Sequence, residues 1–186
     1  MLEEVPFNLY DIGQNVLKII EKMAEERKIE ITQDNIGVVH WNLIGSPVHV
    51  KRIMMNFISN AVKYNKEHGK IMLRCREISA EGDTAVFEFT CRDTGIGMSR
   101  EFQEHLFEPF TQERVVGYSK YGSTGLGMSI TMGLVKRMGG DITFESEKDK
   151  GTTFVITIPF KIDMEKREAE KKAKKSVCSI AGLNIL

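Results

Sequence analysis

The chain has 186 residues, 26 of them basic and 26 acidic, with 41% hydrophobic and 8% aromatic side chains. That length suits one domain with a short appendage, and the apolar share is enough to build a core rather than a disordered chain. The balanced charge argues against a nucleic-acid binder, no apolar run nears the ~18 residues of a membrane span, and the acidic start MLEEVPFN is no signal peptide.

Residues 8–28 are predicted to form a helix, because Leu9, Ile12, Val16, Ile19 and Met23 recur at three- and four-residue steps. Two extended stretches follow, IEITQ and VVHWNLIG, with Asp34-Asn35 between them as a turn signal. Ser46-Pro47 then reads as an N-cap with proline in the first turn of a helix running to about Asn65. KIMLRCREI and TAVFEFTCR alternate as two strands joined near Glu81-Gly82-Asp83. A short helix is expected over 99–106, then a long loop over 107–124, then a helix from Leu126 to Met138 ended by Gly139-Gly140. DITFES and TTFVITIPF close the domain as strands. The expected fold class is α/β, a two-layer sandwich of helices on one mixed β-sheet.

Charge and glycine are unevenly spread. Residues 161–175 hold seven basic and four acidic groups, the composition of a solvated linker, so the expected division is a domain over 1–160 and a linker over 161–186. Ten of the 16 glycines lie between Gly95 and Gly151, where close backbone approach to a ligand is one explanation. The three unpatterned cysteines, Cys75, Cys91 and Cys178, fit a reducing compartment better than a disulfide framework.

Three motifs carry chemistry. In NFISNAVKY, Asn56, Asn60 and Lys63 fall within about 60° on a helix, opposite an apolar face. Amide oxygens suit Mg²⁺ and a lysine suits phosphate, although a solvated helix face would look the same. In DTGIGM, Asp93 ends a strand and the glycines allow a sharp turn. An ionised carboxylate only accepts hydrogen bonds, so it could read an exocyclic amine; an ordinary turn is the alternative. In GSTGLGMS, glycine-rich backbone enters a helix N-terminus, a favourable place for an anion, but the spacing is neither a P-loop nor a dinucleotide fingerprint.

Taken in order with FEPF and KGTTF, these motifs resemble the ATP-binding catalytic domain of sensor histidine kinases, within the gyrase, chaperone and MutL-like ATPase superfamily. NFISNAVKY looks like the N box, RDTGIGM and YGSTGLGMSI the two glycine boxes, and FEPF the F box, over residues 5–160. The resemblance implies a Bergerat-type ATP-binding fold and transfer of the ATP γ-phosphate to a histidine on a separate dimerisation domain. Asn60 would ligate Mg²⁺ with Asn56 beside it, and Asn56 and Lys63 would serve the chemistry. Lys63 would also contact phosphate, Tyr64 would pack on adenine, and Asp93 would read its amine in a pocket shaped by Gly95 and Gly97. Gly125, Leu126 and Gly127 would offer N–H groups to phosphates, with Thr153 of the glycine-threonine box nearby. Gln112, Arg114 and Lys120 would contact phosphate or metal from the loop over the nucleotide.

Asn56 stands where hydrolysing relatives hold a glutamate base, and an amide cannot activate water, which favours transfer over hydrolysis. The departures are Ser46 for an aspartate, His49 for an arginine, Ser123 for a glycine, and a loop whose basic residues are only Arg114 and Lys120. His40, His49, His68 and His105 lack the setting of an acceptor histidine, and the chain begins where an acceptor hairpin would end. It is therefore expected to be a piece of a longer cytoplasmic or membrane-anchored kinase that binds ATP without phosphorylating itself. VCSIAGLNIL resembles the approach to a receiver domain, which would make the parent a hybrid kinase. The readings kept beside this one are a degenerate nucleotide-binding regulator and an anti-sigma-type serine kinase.

Overall fold

The computed structural model describes residues 3–112 and 125–169. The elements run β1 (Val5–Asn8), α1 (Leu9–Glu25), β2 (Glu30–Ile36), β3 (Asn42–Gly45), α2 (Pro47–Lys63), β4 (Lys70–Glu81) and β5 (Thr84–Asp93). They continue with α3 (Arg100–His105), α4 (Gly127–Arg137), β6 (Asp141–Glu147) and β7 (Gly151–Ile162). One sheet has the order β1-β3-β7-β5-β4-β2, with β6 also paired to β7. Only the β2–β4 pairing among these is parallel, so the sheet is mixed, and α1, α2 and α4 cover it as expected.

α1 is capped by Asn8, whose side chain accepts from Asp11 N at 3.2 Å. Its buried stripe is Leu9, Val16, Leu17, Ile20 and Ala24. Ile19 and Met23, counted in the sequence periodicity, are 44% and 39% exposed. A stripe only about 100° wide cannot bury both sets, and Leu17 and Ile20 face the sheet instead. α2 buries Val50, Ile53, Phe57, Ile58, Ala61 and Val62. Phe57 meets Phe154 of β7 at 4.9 Å between ring centroids, which seats the middle of α2 on the sheet.

Four local expectations change. Asp34 and Asn35 lie inside β2, paired with Arg74 and Cys75, and the bend comes at Gly37 with φ 65°. Sheet pairing, with an Asp34–Arg74 ion pair at 3.6 Å, outweighs their turn preference. β1 was not foreseen; its four residues become a strand by pairing with β3. Ser46 occupies the N-cap position of α2 without a side-chain cap, its Oγ lying 2.6 Å from His49 Nδ1. β7 runs through Ile162, beyond the expected boundary, and Asp163 caps a helical turn over 164–169 by accepting from Lys166 N at 3.0 Å.

One side chain fixes how α2 leaves the sheet. Arg27, just after α1, donates to the carbonyls of Val62, Lys63 and Asn65, the last two at 2.6 Å. A guanidinium there satisfies orphan carbonyls and complements the negative end of the helix dipole. Lys28, beside it, is exposed and holds φ 55°, a conformation costly for a side chain with a Cβ. Lys28→Gly should therefore raise stability by about 1 kcal/mol, the relief of strain outweighing the added unfolded-state entropy. A urea melt checks this; a loss of stability would contradict the strain assignment.

Candidate functional site

At the end of β5, the C-terminal half of α2 and the start of α4 enclose a cavity of about 350 Å³. Asn56, Asn60 and Tyr64 recur every four residues, so one face of α2 presents all three to it. Asp93, Gly97, Gln112, Gly125 and Gly127 share its walls, with Met98, Met128 and Phe154 making apolar surface. A pocket with an apolar lining and a few fixed polar groups is the general form of a small-molecule site.

Asp93 is 9% exposed, and its Oδ1 accepts from Gly95 N at 2.8 Å and Thr152 N at 3.3 Å. Burial pushes its carboxyl up to about 6, although those two N–H groups pull the other way. The turn that follows is locked to α2, because Ile96 N donates to Tyr64 O at 3.0 Å. Asn65 is fully buried and completes the joint. Its Nδ2 donates to Lys70 O at 3.2 Å, and its Oδ1 accepts from Lys66 N at 3.0 Å and Thr94 Oγ1 at 3.4 Å. Gly97 has φ 61°, and a Cβ there would lie 1.9 Å from Glu147 O, so only glycine fits between this turn and the β6–β7 connection.

α4 meets α2 closely. A Cβ on Gly127 would lie 2.6 Å from Asn56 Oδ1, so glycine here leaves room for the Asn56 carboxamide against the start of α4. Asn56 Nδ2 donates to Thr131 Oγ1 at 2.9 Å and to the Met128 thioether at 3.5 Å. Asn60 Nδ2 also donates to Met128 at 3.5 Å. Among the described residues, Asn60 Oδ1 accepts no hydrogen bond, and no group of three or more His, Cys, Asp or Glu side chains could hold a metal. A hard cation here would therefore rest on amide oxygen and on oxygens carried in with a ligand. That donor set fits Mg²⁺, which keeps waters and takes phosphate oxygens.

Some expected residues stand elsewhere. Lys63 does not line the cavity, and its Nζ lies 5.0 Å from the centroid of the Tyr64 ring. Thr152, not Thr153, faces inward, because successive strand residues point to opposite sides and Thr152 is the buried one. Leu126 precedes α4 outside the cavity wall, its carbonyl taken by Ile130 N and Ser129 Oγ. Gly95 serves through its N–H to Asp93. Arg114 and Lys120 lie outside the described residues. Arg27, Asn65, Thr131 and Met128 have roles that no local pattern marks, although an asparagine directly after the N box could have suggested a buried joint.

Comparison with known proteins agrees with the motifs. Residues 45–162 match the family described as histidine kinase-, DNA gyrase B-, and HSP90-like ATPase. The signal transduction histidine-protein kinase BarA of Escherichia coli (strain K12) is 34% identical over 154 residues, 83% of this chain and 17% of that protein. The sensory/regulatory protein RpfC of Xanthomonas campestris pv. campestris is 34% identical over 157 residues, 84% of this chain and 22% of that protein. The chain thus spans between 17% and 22% of the length of these relatives. The catalytic domain of histidine kinase ThkA superposes with a TM-score of 0.70 at 22% identity, covering 84% of this chain and 97% of that one. Full-length ShkA in complex with AMPPNP gives 0.70 at 25% identity, covering 87% of this chain and 32% of that one. With motif order, fold and relatives in agreement, the chain belongs to the histidine kinase-, DNA gyrase B- and HSP90-like ATPase family, and within it to the catalytic domains of sensor histidine kinases.

Proposed function

We propose that this domain binds Mg²⁺·ATP and delivers the γ-phosphate to a histidine on a separate dimerisation domain. The observation that carries the reading is Asp93, a buried carboxylate at the floor of a largely apolar cavity. Its Oδ1 is occupied by two backbone N–H groups, so Oδ2 is left to accept from the adenine amine. Tyr64, Met98 and Phe154 supply apolar walls for a planar ring.

From that anchor the triphosphate would extend toward α4. Gly125, Leu126 and Gly127 lead into its N-terminus, where backbone N–H groups and the helix dipole favour anions. Asn60 would hold Mg²⁺ through Oδ1, with Asn56 beside it. The bound metal neutralises phosphate charge during transfer. Asn56 has no basic atom, and its nitrogen is engaged by Thr131, so nothing at this position draws a proton from water. That supports transfer to an incoming nucleophile rather than hydrolysis. Lys63 would reach phosphate by leaving the Tyr64 ring, and Gln112, Arg114 and Lys120 remain the candidates for contact from the covering loop. The same reading puts the charged stretch after the domain before a receiver domain in a hybrid parent. It also places the domain in the cytoplasm, supported by the free thiols Cys75 and Cys91. No helix among the described residues is long and apolar enough to cross a membrane.

Two substitutions test the site. Asp93→Asn keeps an acceptor for Gly95 and Thr152 but turns a donor toward the adenine amine. Nucleotide affinity measured by calorimetry should fall about 100-fold. Folding should respond in the opposite sense. The folded carboxyl titrates near 6 against 3.8 when unfolded, so its ionisation costs stability progressively as pH rises through that window. At pH 8 the amide variant should therefore be more stable, by on the order of 2 kcal/mol in a urea melt. Retained affinity would refute the adenine role, and a destabilised variant would refute the burial argument. Asn60→Ala should lose at least about tenfold in affinity with Mg²⁺ present and little without it. Equal losses in both conditions would refute the metal role.

A further inference from the structure

The two α2 carboxamides are each held in one sense by α4, and the donors and acceptors can be followed atom by atom. Thr131 is 2% exposed, and its hydroxyl hydrogen goes to Gly127 O at 2.8 Å, one turn back along α4. A hydroxyl has a single hydrogen, so toward Asn56 the Thr131 oxygen can only accept. Asn56 must therefore present Nδ2 to it, at 2.9 Å, and its Oδ1 is turned over Gly127. The Met128 thioether has no hydrogen to give and likewise only accepts. It receives Nδ2 of both Asn56 and Asn60 at 3.5 Å, which leaves Asn60 Oδ1 toward the cavity. A carboxamide with the reverse sense would meet a cation with its NH₂ group, which cannot ligate it.

We infer that Thr131 and Met128 are positioning residues that fix the sense of the Asn56 and Asn60 carboxamides, so that oxygen rather than nitrogen faces the metal and phosphate corner. The inference rests on the Mg²⁺·ATP reading for its consequence, and on the hydrogen-bond geometry for its substance. Nothing in the N box itself specifies the sense of either amide. The determinant sits some 70 residues away, in the first turns of α4.

The test uses the full chain and three variants. Thr131→Val keeps the shape and removes the acceptor, Thr131→Ser restores it, and Met128→Leu removes the thioether. Calorimetric titration with a non-hydrolysable ATP analogue, with and without Mg²⁺, should show Thr131→Val losing about fivefold in Mg²⁺-dependent affinity. Metal-free affinity should be unchanged, Thr131→Ser should recover the parent values, and Met128→Leu should lose about two- to threefold. Independently of any nucleotide, the Asn56 side-chain NH₂ protons should exchange slowly with water in the parent and in Thr131→Ser, and faster in Thr131→Val, by ¹⁵N NMR. Full Mg²⁺ dependence in Thr131→Val, equal losses with and without metal, or failure of Thr131→Ser to rescue would each overturn the inference. So would unchanged amide exchange. A parent chain that binds no nucleotide would sink the functional reading alone, because the exchange measurement would still decide whether α4 fixes the amides.

Discussion

A carboxylate buried at the end of a central strand constrains everything around it. Asp93 stands at the end of β5, and burial alone would drive it to its neutral form. The two N–H groups on Oδ1 make ionisation affordable, and both come from backbone that must be placed with care. One belongs to the turn after β5, the other to the start of β7. The turn is fastened to α2 through Tyr64 O and Asn65, and α2 is fastened to the loop after α1 through Arg27. Helix, turn and strand are thus one assembly with the carboxylate at its centre. Its raised pKa records burial that outweighs the two N–H groups holding its charge.

The second constraint is the close crossing of α2 and α4. Gly127 leaves room for the Asn56 carboxamide, and Thr131 and Met128 of the same helix hold the two amides. On the proposed reading, the helix whose N-terminus would receive the phosphates is also the element that holds the α2 amides. Adenine recognition then falls to Asp93 at the end of β5 and phosphate handling to the start of α4, both of which border one cavity.

Much of this was legible in the sequence, because it depended on order and local chemistry. Five motifs in one succession pointed to the family, and strand-ending Asp93 and the asparagines of α2 could be placed by periodicity alone. The failures share a cause. Asp34 and Asn35 carry turn preferences that a neighbouring strand overrides, and β1 exists only through pairing with β3. Thr153 and Thr152 are equivalent as letters, and register decides which is buried. Lys63 belongs to the polar wedge by angle, yet its long side chain settles on the Tyr64 ring. Arg27 and Thr131 act across 35 and 75 positions of sequence, where no local pattern reaches.

We propose that this domain donates phosphate to a histidine on a separate dimerisation domain. The direct measurement is to mix the chain with a histidine-bearing dimerisation domain and γ-labelled ATP, with Mg²⁺ present, and to follow acid-labile label on that partner. Label should appear on the partner, with none on the chain alone and negligible release of free phosphate when the partner is absent. Rapid hydrolysis by the chain alone, or acid-labile label on the chain itself, would contradict it.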